Sequence, residues 1–338
     1  MEYLADIWFV LWGLLWGIYF ALDGYDFGIG MLLPLIGLGS AKERETMHLV
    51  TGPFWDGNEV WLITAGGVTF AAFPLAYAVL FSSLYTPLML LLLALIMRGV
   101  AAEFRHQLKD GRWHSLWDLT VAGSGFLAAL LLGVAFSNLF RGLPLRADHV
   151  MDGNILNLLH PYCLLGGIFF VVMFMTHGAI YLTGRVVGDL ASKARLMAKV
   201  LWPVFMLLFL VYVALTFFWC GLYRNYFESP LLLGLPLACV VAFLASGHAL
   251  YRTDKIENAF RYSGLGIITL TLTGVMGMHP YLIPSRLDPN GALSVMNASS
   301  TPKTLLIMLI VALIFVPTVI AYQWWTHRKL ADKINSEY

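Results

Sequence analysis

The chain has 338 residues, of which 59% are hydrophobic and only 12% charged, and its mean hydropathy is +0.75. This composition is typical of a chain that folds in lipid, so the sequence predicts an integral membrane protein. The 21 basic and 20 acidic residues nearly cancel and form no basic tail or stripe. That balance excludes nucleic acid as an expected partner and leaves membrane lipid as the expected surroundings.

Apolar stretches long enough to cross a hydrocarbon core, about 20 residues each, recur along the whole chain. Segments with the short alternating pattern of barrel strands do not occur, so the predicted fold class is all-α. We expect a polytopic bundle of about nine transmembrane helices. The predicted spans are 7–31, 52–73, 77–97, 118–140, 161–183, 200–222, 231–250, 264–284 and 304–326.

The spans are predicted to form a single membrane domain, 1–338, because no polar connection exceeds about 20 residues. The tripeptide His-Pro-Tyr occurs at 160–162 and again at 279–281, which indicates an internal duplication. The expected arrangement is two four-helix bundles plus one extra helix. The first bundle is 1–140, the second is 141–263 with 264–284, and the ninth helix is 304–326.

The basic residues are shared unevenly between the two ends of the spans. With nine spans, all but five of the 21 Lys and Arg lie on one side; the five are Arg141, Arg146, Arg224, Arg286 and Lys303. Cytoplasmic loops near span ends collect Lys and Arg. The sequence therefore predicts an N-terminus outside and a C-terminus in the cytoplasm.

An acidic, glycine-rich run lies inside the first predicted span, at 23–30. Asp23 and Asp26 are three residues apart and share a helix face. A charged side chain at membrane depth costs about 3 kcal/mol even on mild insertion scales, so such residues indicate an ion or proton path. The structural alternative is that Asp23 caps a neighbouring helix or bonds buried backbone, and that Asp26 lies at the cytoplasmic interface.

A second acidic run, 55–61, lies between two tryptophans where the second span begins. Asp56 and Glu59 again share a face through their spacing of three residues. Both runs fall towards the predicted cytoplasmic ends of their helices, where a path that draws protons from the cytoplasm would begin. The alternative is that Asp56 is the N-cap of its helix and that Glu59 faces water.

Small residues form a stripe along the first span. Gly13, Gly17, Gly24 and Gly28 follow one another at spacings of four and seven residues. Stripes of this kind let another helix approach closely. The first span is therefore predicted to have a tightly packed helical neighbour.

Histidine and cysteine are the remaining candidates for metal or proton chemistry. The candidate haem ligands or proton carriers are His160, His177, His248 and His279. His160 and His279 precede proline, which favours a helix start or a proline kink. His177 and His248 are expected near inner helix ends, in water-facing or helix-end roles. The three cysteines, Cys163, Cys220 and Cys239, lack the spacing of a disulfide framework or metal site. No metal or cofactor is therefore assigned to this chain.

The two acidic runs, read with the residues around them, resemble subunit II of the cytochrome bd quinol oxidases. The matching runs are Asp23–Gly30 (DGYDFGIG), Trp55–Gly67 (WDGNEVWLITAGG) and Phe70–Pro74 (FAAFP). Arg98 and Glu103 after the third span, the chain length and the nine helices extend the resemblance over the whole chain. The second half matches mainly in its span pattern.

The resemblance implies a respiratory complex of the bacterial cytoplasmic (inner) membrane that oxidises quinol, reduces dioxygen to water and takes the consumed protons from the cytoplasm. In that family subunit I, the heterodimer partner, binds quinol, two haems b and one haem d, so the redox chemistry is expected there. Some complexes add small single-span accessory subunits. Some members hold a structural quinone in subunit II or lead dioxygen through it.

The resemblance also implies a role for the acidic residues. Subunit II is the structural partner of subunit I and supplies part of its proton path, in which the Asp of Trp-Asp-Gly takes part. This role carries over onto Asp56, and the Asp of the Asp-Gly run carries over onto Asp23. Asp26 and Glu59 join the predicted path because of their helical spacing alone.

The sequence is also compatible with two other functions, a secondary transporter and an inert scaffold. Glycine-rich helices with midplane acids also occur in proton- or cation-coupled secondary transporters. An inert scaffold that helps subunit I to fold is the other alternative. A haem spectrum that appears only with a second subunit would favour the oxidase, whereas a colourless protein that moves solute by itself would favour the transporter.

Overall fold

The computed structural model describes residues 2–37, 40–253, 255–330 and 332–334. Most of this chain is helical, which confirms the all-α class. The long helices are α1 (Glu2–Ile36), α3 (Trp55–Ala72), α5 (Tyr85–Phe104), α6 (Gly111–Arg141), α7 (Pro161–Arg185), α8 (Gly188–Trp219), α10 (Gly234–Arg252), α11 (Ile256–Met278) and α13 (Pro302–Lys329). The short helices are α2 (Ala41–Thr51), α4 (Pro74–Ser83), α9 (Tyr223–Glu228) and α12 (Val295–Ala298).

Each of the nine predicted spans overlaps one of the long helices. In the described parts of the chain, seven helices are long and apolar enough to cross a membrane, or eight if α3 and α4 together form one bent span. Helix α11 is not among them, because its glycines, its threonines and Arg261 lower its hydropathy. A multi-pass helical membrane protein is confirmed, whereas the number nine stays a prediction.

The predicted span 77–97 is interrupted by a helix break. Helices α3 and α4 meet at an angle of 120° around Phe73, and a second break at Leu84 separates α4 from α5. Pro74 occupies the first position of α4, where its fixed φ and missing N–H are favourable. The second span therefore bends back on itself before the third begins, which the apolar pattern alone did not reveal.

The predicted span 264–284 extends too far. Helix α11 ends at Met278, because Pro280 has no N–H with which to continue a helix. The chain instead forms strand β1 (Tyr281–Ile283), antiparallel to β2 (Leu293–Ser294), with Tyr281 opposite Ser294. The last six residues of the predicted span are therefore loop and strand.

Helix α1 is the centre of the fold and packs against α3, α6, α7 and α11. Its glycine stripe makes this packing possible. A Cβ at Gly13 would lie 2.8 Å from the side chain of Val275 in α11, and a Cβ at Gly28 would overlap the carbonyl oxygen of Phe174 in α7. The predicted close neighbour of α1 is confirmed, and it consists of two helices.

The remaining helices surround α1. Helices α5 and α6 are neighbours, as are α7 and α8 and also α10 and α11, while α13 lies against α1 and α3. Only 6% of the most apolar 18-residue stretch of α13 is buried, so this helix is peripheral. Helix α1 contacts α7 and α11 of the second predicted bundle as well as α3 and α6 of the first, so no gap separates the two bundles. The division into two bundles stays a prediction.

The loops form two layers at opposite ends of the helices. In one layer Lys193 at the start of α8 pairs with Glu43 of α2 at 2.8 Å. In the other layer His279 lies 3.0 Å from Asp6 of α1. The layer with α2 contains most of the basic residues and is the one that the charge bias assigns to the cytoplasm.

Replacing Gly28 with alanine should destabilise the protein. The new methyl group would meet backbone of α7, which cannot rotate away, and overpacking of this kind costs about 1 to 3 kcal/mol. Gly123→Ala is the matched control, because both glycines lie inside helices and a Cβ at Gly123 meets no atom within 4 Å. We expect a lower Tm for purified Gly28→Ala and no decrease for Gly123→Ala; equal Tm values would contradict this packing.

Candidate functional site

The centre of the candidate site is an ion pair between α1 and α5. Asp23 is fully buried, and Arg98 donates two hydrogen bonds to it, Nη1 to Oδ1 at 2.7 Å and Nη2 to Oδ2 at 3.0 Å. The guanidinium carbon also lies 4.4 Å from the centre of the Phe27 ring. A bidentate ion pair of this kind allows a carboxylate to stay charged inside the protein. The alternative that Asp23 caps a helix or bonds backbone is therefore wrong.

The same arginine brings the second acidic run into the site. Arg98 Nη2 donates to Glu59 Oε1 of α3 at 2.5 Å. The Glu59 side chain is 22% exposed, so the alternative that it simply faces water is wrong. One guanidinium therefore joins a carboxylate from each acidic run, and this arrangement ties α1, α3 and α5 together.

Asp26 lies one helical turn after Asp23 and has a different partner. Asn58 Nδ2 donates to Asp26 Oδ2 and to the Tyr25 hydroxyl, both at 2.8 Å. Asp26 is buried, so the alternative that it lies at the membrane interface is wrong. Its second oxygen, Oδ1, is buried without a hydrogen-bond partner among the described residues. Because an unpaired buried oxygen is costly, this carboxyl is the member of the cluster best suited to hold a proton or contact water.

Asp56 is not part of the buried cluster. It is exposed in the first turn of α3, and its side chain forms no hydrogen bond or ion pair with any other residue that the structure describes. The N-cap of α3 is Phe54, so the alternative that Asp56 is the cap is wrong. The structure thus brings together Asp23, Asp26 and Glu59, and leaves Asp56 on the surface one turn before Glu59.

A cavity of about 470 Å³ joins this cluster to the loop layer at the same end of the helices. Asp26 and Arg98 lie on its wall, and so do Glu103, His48 and His106 from the end of α5, from α2 and from the adjoining loop. A cavity of this size has room for several water molecules, and the polar groups on its wall can bind them. The cavity therefore provides room for a hydrated connection between the loop layer and Asp26.

A second charged group, the loop cluster, consists of Arg44, Glu45, His48, Arg105 and Asp118. The Asp118 carboxylate lies 2.7 Å from Arg105 Nε, 2.8 Å from His48 Nε2 and 3.0 Å from Arg44 Nε. Arg105 is almost fully buried and also pairs with Glu45. These contacts hold α2 across the ends of α5 and α6, and they fix His48 on the cavity wall.

The pKa values in α2 follow from this cluster. Burial lowers the pKa of His48 and the Arg105 charge lowers it further, although the hydrogen bond to Asp118 acts in the opposite direction. Partial burial raises the pKa of Glu45, but the hydrogen bond and charge of Arg105 outweigh it, so the pKa lies below its usual value. At neutral pH the imidazole of His48 on the cavity wall is therefore neutral, whereas the carboxylate of Glu45 in the loop cluster is ionised.

Three of the four candidate histidines, His160, His177 and His279, form hydrogen bonds within the chain. His177 is fully buried, with Nδ1 2.9 Å from Ser263 Oγ and Nε2 2.9 Å from the Ala21 oxygen, so the water-facing role expected for it is wrong. His160 is the N-cap of α7, as the following proline indicated, while His248 is exposed. An iron ligand needs a free ring nitrogen at membrane depth, and His177 offers none. The described residues also hold no group of three His, Cys, Asp or Glu that fits a metal ion.

An apolar cavity of about 330 Å³ lies between α6, α7, α8 and α11. Three tyrosines on its wall use their hydroxyl groups within the protein: Tyr212 with Ser137 at 2.7 Å, Tyr223 with a backbone oxygen at 2.6 Å, and Tyr226 with a backbone oxygen at 2.5 Å. These hydroxyls are therefore not free to donate to a quinone carbonyl. The cavity fits hydrocarbon better than a quinone head group.

Two residues of the site were missed as candidates from the sequence. Arg98 had a signal, because it is the first charge after the long apolar run of α5, and such charges pair with other intramembrane groups. Asn58 had only its position between Asp56 and Glu59. Neither signal identified Asp23 and Glu59 as the partners that share one guanidinium.

Removing the arginine should leave buried carboxylates without a counter-charge. We expect Arg98→Gln to destabilise the protein by about 3 to 5 kcal/mol, visible as a lower Tm and less protein extracted from membranes. The double variant Arg98→Gln, Asp23→Asn should recover much of the loss, because no charged Asp23 then remains. Arg112→Gln, an exposed arginine, is the control. A double variant no more stable than Arg98→Gln would contradict the pairing.

Comparison with known proteins places the chain in a family. The profile of the family described as Cytochrome bd terminal oxidase subunit II matches residues 4–330. Cytochrome bd-I ubiquinol oxidase subunit 2 of Escherichia coli (strain K12) is 33% identical over 372 residues, which cover 99% of this chain and 96% of that protein. Cytochrome bd ubiquinol oxidase subunit 2 of Bacillus subtilis (strain 168) is 34% identical over 335 residues, which cover 99% and 98%.

The fold has a counterpart among solved structures. A chain of the bd oxidase from Geobacillus thermodenitrificans superimposes with a TM-score of 0.79 and 16% sequence identity, over 97% of this chain and 98% of that one. This similarity supports the helical fold, and the relatives in sequence support the activity of the complex, so a transporter is not favoured. The chain belongs to the cytochrome bd terminal oxidase subunit II family and is a multi-pass bacterial membrane subunit of a quinol oxidase.

Proposed function

We propose that this subunit delivers protons from the cytoplasm to the oxygen-reducing centre of its complex. The observation that carries the proposal is the cavity that reaches from the loop layer to Asp26, whose Oδ1 has no partner among the described residues. Water in that cavity can pass protons to a carboxyl that lacks a competing donor. Dioxygen reduction consumes protons, so a subunit without redox groups of its own contributes by supplying them.

Each acid of the site has a distinct role in the proposed path. Asp26 receives the proton from the cavity, and Glu59 and the exposed Asp56 carry it along α3 to the protein surface. Asp23 keeps Arg98 in position and sets the charge beside Glu59, since it holds the arginine through two hydrogen bonds. The path thus runs from α1 to the surface of α3.

The proposed path requires a partner against α3. The α3 surface beyond Asp56 carries Gly66 and Gly67, where a Cβ would meet no atom within 4 Å, and Ile63, which is 72% exposed. Small exposed residues within an apolar helix let another helix approach closely. We infer that subunit I of the oxidase docks on this face, beside α13, and that small single-span accessory subunits bind elsewhere.

The haems of the complex are assigned to that partner. His160, His177 and His279 form hydrogen bonds within this chain, and both ring nitrogens of His177 are occupied. The two haems b, the haem d and the substrate quinol therefore belong to subunit I in this proposal. The apolar cavity between α6 and α11 is not assigned a quinone head group, because the tyrosine hydroxyls on its wall are already bonded.

The orientation follows from the charge bias together with the path. The loop cluster and the basic ends of the helices face the cytoplasm, which puts the N-terminus outside and the C-terminus inside. Protons then come from the inner side, as an oxidase that charges the membrane requires. The site and the positive-inside rule are independent arguments for the same orientation.

Asp56→Asn tests the path. The amide keeps the shape of the side chain but cannot carry a proton, so quinol-driven oxygen consumption by the purified complex should fall about tenfold or more. Haem content and absorption spectrum should be unchanged. Asp189→Asn is the matched control, because Asp189 is also exposed in the first turn of a helix in the same loop layer.

Normal turnover of Asp56→Asn would refute its part in the path. Loss of haem together with activity would instead support the scaffold alternative, in which α3 only helps the complex to assemble. An equal decrease in Asp189→Asn would point to a general effect of surface charge.

A further inference from the structure

The proton path leaves unexplained a basic cavity of about 560 Å³ at the ends of α7, α11 and α13. Four cations line it, from three helices and the segment after α13: Arg185, Arg261, Arg328 and Lys333. Glu257 is the acid on the wall that opposes them. The excess of positive charge in one concave site favours an anionic ligand.

The cations of this basic cavity have N–H donors that form no ion pair or hydrogen bond with the described residues. Arg261 and Lys333 form no ion pair with any other residue that the structure describes. Arg185 donates Nη2 to the Leu330 oxygen, but its Nε is buried without a partner in the described chain. The guanidinium of Arg328 lies over the Trp324 ring at 4.7 Å, which leaves its N–H edge open. Guanidinium groups match the geometry of phosphate oxygens through paired N–H donors.

The chain holds these cations in place. The Ile334 amide donates to the Arg185 oxygen at 2.9 Å, and the Val187 amide donates to the Ile334 oxygen at 3.3 Å. This pairing draws the segment after α13 against the end of α7 and places Lys333 on the cavity wall. The four cations are therefore brought together by the fold.

The depth of the basic cavity matches a lipid headgroup. Its wall also carries Tyr181, Phe260 and the exposed Trp324, and the next residue of α13, Trp325, is exposed as well. Tryptophan and tyrosine gather at the level of the headgroups, where one side of the ring meets hydrocarbon and the other meets water. On α7 and α13 an aromatic ring lies one helical turn further from the loop end than the cation, Tyr181 before Arg185 and Trp324 before Arg328.

We propose that the basic cavity binds the phosphate headgroup of an anionic phospholipid. Basic pockets between transmembrane helices at the membrane surface are suited to such headgroups, and about 560 Å³ holds a phosphodiester with its glycerol. The acyl chains extend along the aromatic wall into the bilayer. The lipid bridges α7, α11 and α13, and so fastens the peripheral helix α13 to the rest of the fold.

The test uses the purified complex after removal of loosely bound lipid. Native mass spectrometry measures the binding of added phosphatidylglycerol, with zwitterionic phosphatidylcholine as the comparison lipid. The double variant Arg261→Gln, Arg328→Gln removes two cations of the site. Lys109→Gln, Arg112→Gln removes two exposed cations of the same loop layer outside the basic cavity. The haem spectrum of each variant checks that the complex has assembled.

We expect one tightly held phosphatidylglycerol on the wild type and on the control, and binding about 30-fold weaker in Arg261→Gln, Arg328→Gln. Phosphatidylcholine should not replace it, and millimolar inorganic phosphate should not displace it. Equal binding by both double variants would overturn the proposal. Displacement by inorganic phosphate would identify a site for free phosphate instead. The lipid-site variants leave Asp26 and Asp56 unchanged. Lipid binding therefore tests this proposal, whereas oxygen consumption by Asp56→Asn tests the proton path, and either one can fail without the other.

Discussion

The structure depends on one buried arginine that holds two carboxylates. Arg98 pairs with Asp23 of α1 and with Glu59 of α3 and thereby joins three helices inside the membrane. An arginine in hydrocarbon would be costly alone, and so would either acid; together the three side chains compensate one another's charge and are held in place. The acids of the site are thus held at defined distances, as the transfer of protons between them requires.

The second constraint is the close packing of α1. Glycines on α1 allow α7 and α11 to approach until backbone meets backbone, and this places Asp23 and Asp26 at the centre of the molecule. Asp26 differs from Asp23 because its partner is the neutral Asn58, so one of its oxygens stays available. In the proposed path, two carboxyls a single turn apart therefore have different tasks, one structural and one suited to exchange a proton. The loop cluster then fixes α2, and with it the open end of the cavity, above Asp26.

Much of this arrangement could be predicted from the sequence, and the limits have physical reasons. Composition and apolar run length gave the helical membrane class, and the shared face of Asp23 and Asp26 followed from the helical period. The partners of the acids could not be predicted, because Asp23 and Arg98 are 75 residues apart in the chain and periodicity carries no information on contacts between helices. The break at Leu84, inside the predicted span 77–97, was also missed, since both sides of it are apolar. The surface position of Asp56 depends on where α3 lies relative to α1, which only the tertiary structure determines.

The most direct test of the account is proton uptake by Asp26. In liposomes that contain the complex in one orientation, a pulse of dioxygen should draw protons from the cytoplasmic side, and Asp26→Asn should slow that uptake about tenfold or more while the haem spectrum stays normal. Asp110→Asn, in the loop layer outside the cavity, is the control. Proton uptake by Asp26→Asn at the wild-type rate would contradict the claim that the cavity feeds protons to this carboxyl.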